Sequence, residues 1–301
     1  MQGEVSKSKV RFNVLIFVVL LAMFASVGCV SAKTWYVDDD GGADFTRIQD
    51  AISAASAGDT IIVRDGTYVE NVNVDKSLTI RSENGSANCI VQAKDSNDPV
   101  FEVTADYVEI NGFNVKGEEV GKLAIIKKEG GIAGIKYVYF SARRVCGGID
   151  LDVADFCNIS NNNISLGVIG ISLSKSSNNN LINNAISNLS FGIYLVNSSN
   201  NTLTNHRISH TNEGIFISSG NSNSLTNNNA SSNSYDGILL LLVSNNNIIT
   251  NNTVANNNCS GIYLGFSNNN TIYLNNFINN TDNVESLSLI DQPTHGTQQK
   301  K

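Results

Sequence analysis

The stretch GIYLVNSSNNTLTNHRISHTNE, residues 192–213, is one full period of a repeat that runs through the second half of the chain. It opens with a Gly-Ile pair, which recurs at 148, 170, 192, 214, 237 and 261, at intervals of 22, 22, 22, 23 and 24 residues. Self-similarity at a fixed short period indicates a solenoid. Helical repeats are longer than this, and the L-x-x-L-x-L pattern of leucine-rich repeats is absent, so the period favours a β-helix.

Apolar residues occupy three places in each period. The Ile of the pair and the apolar residue two positions later, such as Ile193 and Leu195, alternate as in a short strand with one buried face. Two further apolar places follow 11 residues and 16 or 17 residues after the glycine. The first is filled by Ile159, Leu181, Leu203, Leu225, Ile248 and Ile272, and the second by Ile164, Ile186, Ile208, Ala230, Val254 and Ile278. Three inward-pointing strands per coil predict a parallel β-helix, with coils stacked about 4.8 Å apart.

Asparagine recurs just before the last of these apolar places. Equivalent positions of successive coils are stacked, so side-chain amides, which carry both donors and an acceptor, can hydrogen-bond along the column. Asparagine also tolerates the left-handed backbone of a sharp corner. We predict a structural ladder formed by Asn161, Asn183, Asn205, Asn227, Asn251 and Asn275. The glycine of each Gly-Ile pair is predicted to serve a tight corner.

The start of the chain differs from the repeats. Residues 1–32 combine a basic beginning, the apolar run FNVLIFVVLLAMFASV and a small-residue end, which predicts a signal peptide cleaved after Ala32. Residues 33–116 are interpreted as an N-terminal cap and irregular first coils. Within them, DFTRIQDAISAASAGD (44–59) predicts a capping helix, with Asp44 as its N-cap and Gly58 as its stop.

Two segments carry a family resemblance. GDTIIVRDGTYVENVNVDKSLTIRS (58–82) resembles the opening of pectin-lyase-like proteins, and the later GIYLxxSxNNTxxxN pattern resembles the NosD-like surface proteins of archaea and periplasmic NosD. The resemblance covers most of residues 35–283 and implies an all-β, right-handed, single-stranded parallel β-helix. It also implies a choice of roles: a non-enzymatic surface protein, a polysaccharide lyase or uronate epimerase, or a copper-site maturation factor.

Two segments depart from the repeat. Residues 117–147 break it with basic and aromatic residues and are interpreted as an atypical insertion. Regular repeats of 22–24 residues occupy 148–284, and residues 285–301 are predicted to be a polar C-terminal tail. If the protein is a lyase or epimerase, we expect its site near the insertion, where Arg143 and Arg144 accompany several aspartates.

Chemistry-bearing residues are sparse in the repeats, and no catalytic residue can be assigned. Glu213 and Asp236 each precede a Gly-Ile pair in successive coils, so they should be stacked and could bind calcium, or else form a solvated corner. Asp150 and Asp152 are a second calcium candidate. No other cofactor is expected.

Copper and sugar binding draw on other residue types. The histidines His206, His210 and His295 are a poor ligand supply for copper. Tyr194, Phe216 and Tyr263 all lie two residues after the glycine, so they should point outward in one column. We predict that this column stacks sugar rings.

Composition sets the compartment and the partners. The net charge of −7 and the pI near 5.0 argue against a nucleic-acid partner. The signal peptide predicts a secreted or cell-surface protein (periplasmic in a bacterium), touching a membrane only through its N-terminus. We therefore favour a non-enzymatic β-helix that binds polysaccharide or other envelope components. N-x-S/T sequons offer the glycosylation candidates Asn84, Asn188, Asn197, Asn258 and Asn279.

Overall fold

The fold was analysed on a computed structural model, which describes residues 31–118 and 147–287. The chain divides into two units, Met1–Ala32 and Lys33–Lys301, and the description below concerns the second. The predicted signal peptide, most of the 117–147 insertion and most of the C-terminal tail lie outside the described residues. Among the described residues, no helix is both long enough and apolar enough to cross a membrane.

The chain winds into a right-handed parallel β-helix of about 10 turns, as predicted. Each complete coil contributes one strand to each of three sheets, named A, B and C here. Every strand pairs in parallel with its equivalents in the coils before and after, so each sheet runs the length of the solenoid. Sheet A contains β1 (Thr34–Val37), β2 (Thr60–Val63), β5 (Thr79–Ser82), β8 (Glu109–Asn111), β11 (Asn158–Ser160), β14 (Asn180–Ile182), β17 (Thr202–Thr204), β20 (Ser224–Thr226), β23 (Ile248–Thr250) and β26 (Thr271–Tyr273).

Sheets B and C each contain nine strands. Sheet B contains β3 (Gly66–Val69), β6 (Cys89–Gln92), β9 (Asn114–Lys116), β12 (Asn163–Ser165), β15 (Ala185–Ser187), β18 (Arg207–Ser209), β21 (Asn229–Ser231), β24 (Thr253–Ala255) and β27 (Asn276–Ile278). Sheet C contains β4 (Val72–Val74), β7 (Phe101–Val103), β10 (Gly147–Asp152), β13 (Ile169–Ser174), β16 (Phe191–Val196), β19 (Glu213–Ser218), β22 (Ile238–Leu241), β25 (Ser260–Gly265) and β28 (Asp282–Leu287). The last strand therefore extends three residues into the predicted tail.

Like residues stack on like residues inside the coil. Ile171 pairs with Ile193, which pairs with Ile215, and all three are fully buried. Two of the predicted inward positions are wrong by one residue. Ile249 rather than Ile248 points inward, because the preceding turn accommodates both Leu242 and Val243 at positive φ. Phe277 rather than Ile278 stacks on the buried valine of the preceding coil.

The glycines of the Gly-Ile pairs have a different role from the one predicted. None of the six adopts a positive φ, so the tight-corner explanation is wrong. A Cβ on Gly170 would lie 2.6 Å from the carbonyl oxygen of Gly192 and 2.6 Å from Cγ2 of Ile186. Glycine is required because the next coil's backbone approaches too closely for any side chain.

The predicted helix is shorter than its sequence pattern. It spans Ile48–Ala54, is named α1 here, and buries Ile48, Ala51 and Ile52 in the core. Asp44 is not its N-cap, because that carboxylate accepts the backbone N–H of Tyr36 instead. The first amides of the helix are satisfied by the buried carboxylate of Glu70, which accepts from Ile48 N at 2.8 Å and from the following residue at 3.2 Å.

The buried amide ladder is displaced by one residue from the predicted column. Of the six asparagines predicted, only Asn275 is a member. The other five are exposed and adopt left-handed φ values of 55–59°. Turning the corner at those residues directs the next side chain inward. The ladder therefore consists of Asn162, Asn184, His206, Asn228, Asn252 and Asn275.

Each rung of this ladder satisfies backbone groups of both neighbouring coils. Asn228 accepts the backbone N–H of His206 at 2.9 Å and donates to the carbonyl of Leu203 at 3.0 Å and to Oδ1 of Asn252 at 3.0 Å. At the corner before sheet A, a second ladder repeats this pattern with Asn179, Asn201, Asn223, Asn247 and Asn270. Buried corners need these bonds because a peptide group without a partner is costly.

Candidate functional site

The outer face of sheet C carries one continuous column of side chains. They lie two residues after each glycine and alternate with the buried Ile and Leu columns. The strand register superposes Asp150, Ser172, Tyr194, Phe216, Leu239, Tyr263 and Glu285. The column is apolar in the middle and acidic at both ends. It contains the three residues predicted to stack sugars and one of the predicted calcium ligands.

The aromatic part of this column is packed against itself. Tyr194 and Phe216 are stacked with ring centroids 4.9 Å apart and an interplanar angle of 7°. Phe191 meets both rings edge-on, at 5.2 and 5.8 Å. Phe216 is only 7% exposed, whereas Tyr194 and Tyr263 are half-buried and separated from each other by Phe216 and the buried Leu239. The two tyrosines are therefore the members of the trio that reach the surface.

The carboxylates of Glu213 and Asp236 are buried beside this cluster, at 2% and 5% exposure. Glu213 accepts the backbone N–H of Asp236 at 3.1 Å, and Asp236 accepts that of Ser260 at 2.7 Å. The hydroxyl of Ser260 donates to Glu285 at 2.8 Å. Burial raises the pKa of Tyr263, with Glu285 and Asp236 contributing. The pair is therefore stacked, as predicted, but in a buried chain of hydrogen bonds rather than a solvated corner.

Asp150 lies at the other end of the column. It pairs in register with Glu102 of the preceding coil, so two outward carboxyl groups are adjacent. Burial raises the pKa of Asp150 to about 6; the neighbouring carboxylates of Asp152 and Glu102 act in the same direction, and a hydrogen bond with Ser172 opposes them. Asp150 therefore changes protonation state close to neutral pH, whereas the predicted second ligand Asp152 is exposed.

Metal ligands are not grouped in the part of the chain that the structure describes. Within 31–118 and 147–287, no three His, Cys, Asp or Glu side chains are placed so that they could hold a metal ion. Calcium at Glu213 and Asp236, or at Asp150 and Asp152, stays a prediction. The buried thiols of Cys89 and Cys157 have pKa values raised to about 12 and about 11 by desolvation, so they are poor nucleophiles at neutral pH.

Exposed asparagines and one exposed aromatic pair complete the surface inventory. All five glycosylation candidates, Asn84, Asn188, Asn197, Asn258 and Asn279, are exposed. Tyr107 and Phe156, which the sequence did not single out, stack at an exposed corner with centroids 5.1 Å apart. The signal available in the sequence was weak: two aromatics stand where the later repeats have Asn or Ser, but the masking insertion between them breaks the alignment.

Comparison with known proteins places the chain in a family. The family model described as "Periplasmic copper-binding protein (NosD)" matches residues 110–288, more than half of the chain. The chain therefore belongs to the NosD family, as the repeat pattern predicted. A cell surface glycoprotein of Methanothermus fervidus is 35% identical over 114 residues, which cover 37% of this chain and 18% of the relative. This chain thus spans only a small part of that curated relative.

Solved structures support the fold. The Dettilon tailspike protein aligns with a TM-score of 0.55 at 15% identity, over 74% of this chain and 41% of the tailspike. The mannuronan C-5 epimerase AlgE4 A-module of Azotobacter vinelandii gives 0.52 at 12% identity, over 81% and 76%. Pectate lyase Pel9A gives 0.50 at 12% identity, over 83% and 79%. At such low identity, these similarities establish the pectin-lyase-like β-helix alone.

The described residues do not fit the copper that the family description names. His206 is 1% exposed and its Nδ1 already accepts the backbone N–H of Asn184 at 3.1 Å. His210 is exposed at a corner without other clustered ligands among the described residues, and His295 lies outside them. Imidazole and sulfur ligands, which copper prefers, are therefore not assembled here.

Proposed function

We propose that the protein is a secreted or cell-surface β-helix that binds envelope polysaccharide without cleaving it. The similarity to a cell surface glycoprotein and the membership of the NosD family support a location outside the cytoplasm. The observation that carries the binding role is the outer column of sheet C, an apolar strip that ends in the carboxyl groups of Asp150 and Glu285.

The geometry of the column suits an extended glycan. Tyr194 and Tyr263 are three coils apart, which is about 14 Å at the usual strand spacing. Each keeps part of its ring at the surface, so two sugar rings could contact the strip at separate points. Tyrosine offers an apolar face and a hydroxyl group together, and the terminal carboxylates can accept hydrogen bonds from sugar hydroxyls.

The test is retention on immobilised oligosaccharides of hexoses, N-acetylhexosamines and uronic acids. We expect the wild type to be retained and the double variant Tyr194→Ala/Tyr263→Ala to bind at least tenfold more weakly. Tyr273→Ala, which removes an exposed tyrosine from sheet A, is the matched control and should bind like the wild type. No retention of the wild type, or equal retention of the double variant, would refute the proposal.

One observation favours a second candidate, a polysaccharide lyase or epimerase. The raised pKa of Asp150, next to Glu102 on the outer face of sheet C, places a carboxyl group that exchanges protons near neutral pH on that surface. Incubation with pectate or alginate in the presence of calcium should then release unsaturated uronides that absorb in the ultraviolet. Asp150→Asn should abolish the signal, and absence of any product from the wild type would exclude the lyase.

A further inference from the structure

The corner between sheets C and A contains an exposed aromatic pair that the fold does not require. The strand register places Tyr107 and Phe156 at equivalent positions of successive coils, two residues before sheet A begins. The same register defines the rest of this corner column. Its members are Gly58, Ser77, Tyr107, Phe156, Asn178, Asn200, Ser222, Asn246 and Asn269.

The backbone at this corner disfavours aromatic side chains. Tyr107 and Phe156 both have a φ of 58°, in the left-handed region. Glycine, asparagine and serine occupy the other left-handed corners of the column, and the first two are the residue types that tolerate this conformation best. A bulky ring there is strained, and strain of this kind is retained where something other than folding selects it.

Burial does not explain the pair either. Tyr107 is 64% exposed and Phe156 is 49% exposed, so neither ring contributes much to the core. The rings are nearly parallel, with an interplanar angle of 10°, and form a two-ring platform. The residues below Tyr107 in the column, Ser77 and Gly58, are small. A Cβ built on Gly58 would meet nothing within 4 Å, so the face of Tyr107 directed toward them adjoins open space.

Carboxyl groups border the platform. Asp106 precedes Tyr107 and is exposed, and Asp155 precedes Phe156. Asp106 accepts the backbone N–H of Asp155 at 2.8 Å, and Asp155 accepts that of Ser177 at 2.6 Å. These bonds fix both carboxylates in position, and a carboxylate can accept further hydrogen bonds. A flat apolar face beside fixed acceptors matches a sugar ring, which has an apolar C–H face and hydroxyl groups at its edge.

We infer that the Tyr107–Phe156 corner is a second glycan-binding site, which stacks one sugar ring on the platform while Asp106 and Asp155 accept hydrogen bonds from its hydroxyl groups. The inference rests on the proposed function for its class of ligand but uses a different surface. A protein partner fits less well, because a stable protein interface buries about 800 Å² on each side, and asparagine and serine continue the column beyond the pair.

The decisive variants are Tyr107→Asn and Phe156→Asn, which install a residue that later coils use at this corner. Because asparagine tolerates the left-handed backbone, both variants should unfold at the same temperature as the wild type or higher, so weaker binding would not reflect misfolding. Leu274→Asn is the matched control. Leu274 is 65% exposed with a φ of 56°, but lies at a different corner.

The probe is the same panel of hexose, N-acetylhexosamine and uronic acid oligosaccharides, with dissociation constants measured by titration calorimetry. We expect Tyr107→Asn/Phe156→Asn to raise the Kd of a retained oligosaccharide at least tenfold and Leu274→Asn to leave it unchanged. A wild type that binds no oligosaccharide would overturn both proposals. Binding that survives in the Tyr107→Asn/Phe156→Asn variant would overturn this inference alone, including the case in which only Tyr194→Ala/Tyr263→Ala weakens it.

Discussion

At the scale of single residues, the outcome depends on whether a side chain can satisfy two neighbouring coils at once. His206 shows this most clearly, because it replaces asparagine in the buried ladder. Its Nδ1 takes the place of an amide oxygen and accepts the backbone N–H of Asn184. Protonation would put a second N–H against that donor. The ring therefore fits only when neutral, and burial lowers the pKa of His206 to about 4.

This histidine should make the protein acid-sensitive. The unfolded state holds the proton up to a pKa near 6.5, so stability is fully present above that pH and falls as pH drops toward 4. We expect His206→Asn to remove this loss, with a difference from the wild type of up to about 3 kcal/mol at pH 4. Urea denaturation of both proteins at pH 7.5 and pH 4 measures it. A constant difference at the two pH values would contradict the assignment.

At the scale of structural elements, the ladders hold the corners between strands. Asn228 bonds to the coil before and the coil after, whereas its neighbour Asn227 is exposed and only turns the chain. The two asparagines are adjacent in sequence and identical in composition. They nevertheless differ in every contact, because the left-handed residue reverses the direction in which the next side chain points.

Replacing these neighbours should therefore have unequal effects. Asn228→Ala leaves the N–H of His206 and the carbonyl of Leu203 buried without that partner, and we expect a loss of about 3 kcal/mol in the free energy of unfolding. Asn227→Gly keeps the left-handed turn and should change stability by less than about 1 kcal/mol. Chemical denaturation of both variants provides the comparison. Equal losses would show that the ladder does not consist of the second asparagine.

At the scale of the whole molecule, stability should vary along the solenoid, since each coil is buried only by its neighbours. The inward residues Ile193, Leu203 and Ile208 of a central coil are fully buried. Those of the last described coil, Ile272, Phe277 and Val284, are only partly buried. Fewer apolar contacts at that end indicate a lower free energy of local opening.

Hydrogen exchange should show this gradient. We expect backbone amides within 271–287 to exchange at least tenfold faster than those within 191–218, because local opening there exposes less apolar surface. Peptide-level mass spectrometry resolves both regions in one experiment on the intact chain. Uniform protection across the two regions would mean that the solenoid opens as a single cooperative unit.

The repeat made most of this architecture predictable. A period of 22–24 residues with three apolar places determined the number of strands per coil and the stacking of Ile171, Ile193 and Ile215. It also superposed Tyr194 and Phe216 on the outer face of sheet C. The period could not determine which of two adjacent asparagines enters the core, since both recur at the same interval.

The sequence by itself determined the β-helix, its three faces and its family, because a solenoid repeats the same local choice in every coil. Only the tertiary structure decided where those choices meet. The need for glycine at position 170 comes from the next coil's carbonyl group, and the burial of Glu213 and Asp236 comes from amides that they accept across coils. The Tyr107–Phe156 platform became visible only when residues 49 positions apart were stacked. Contacts between coils depend on register, and periodicity alone specifies register only to within a residue.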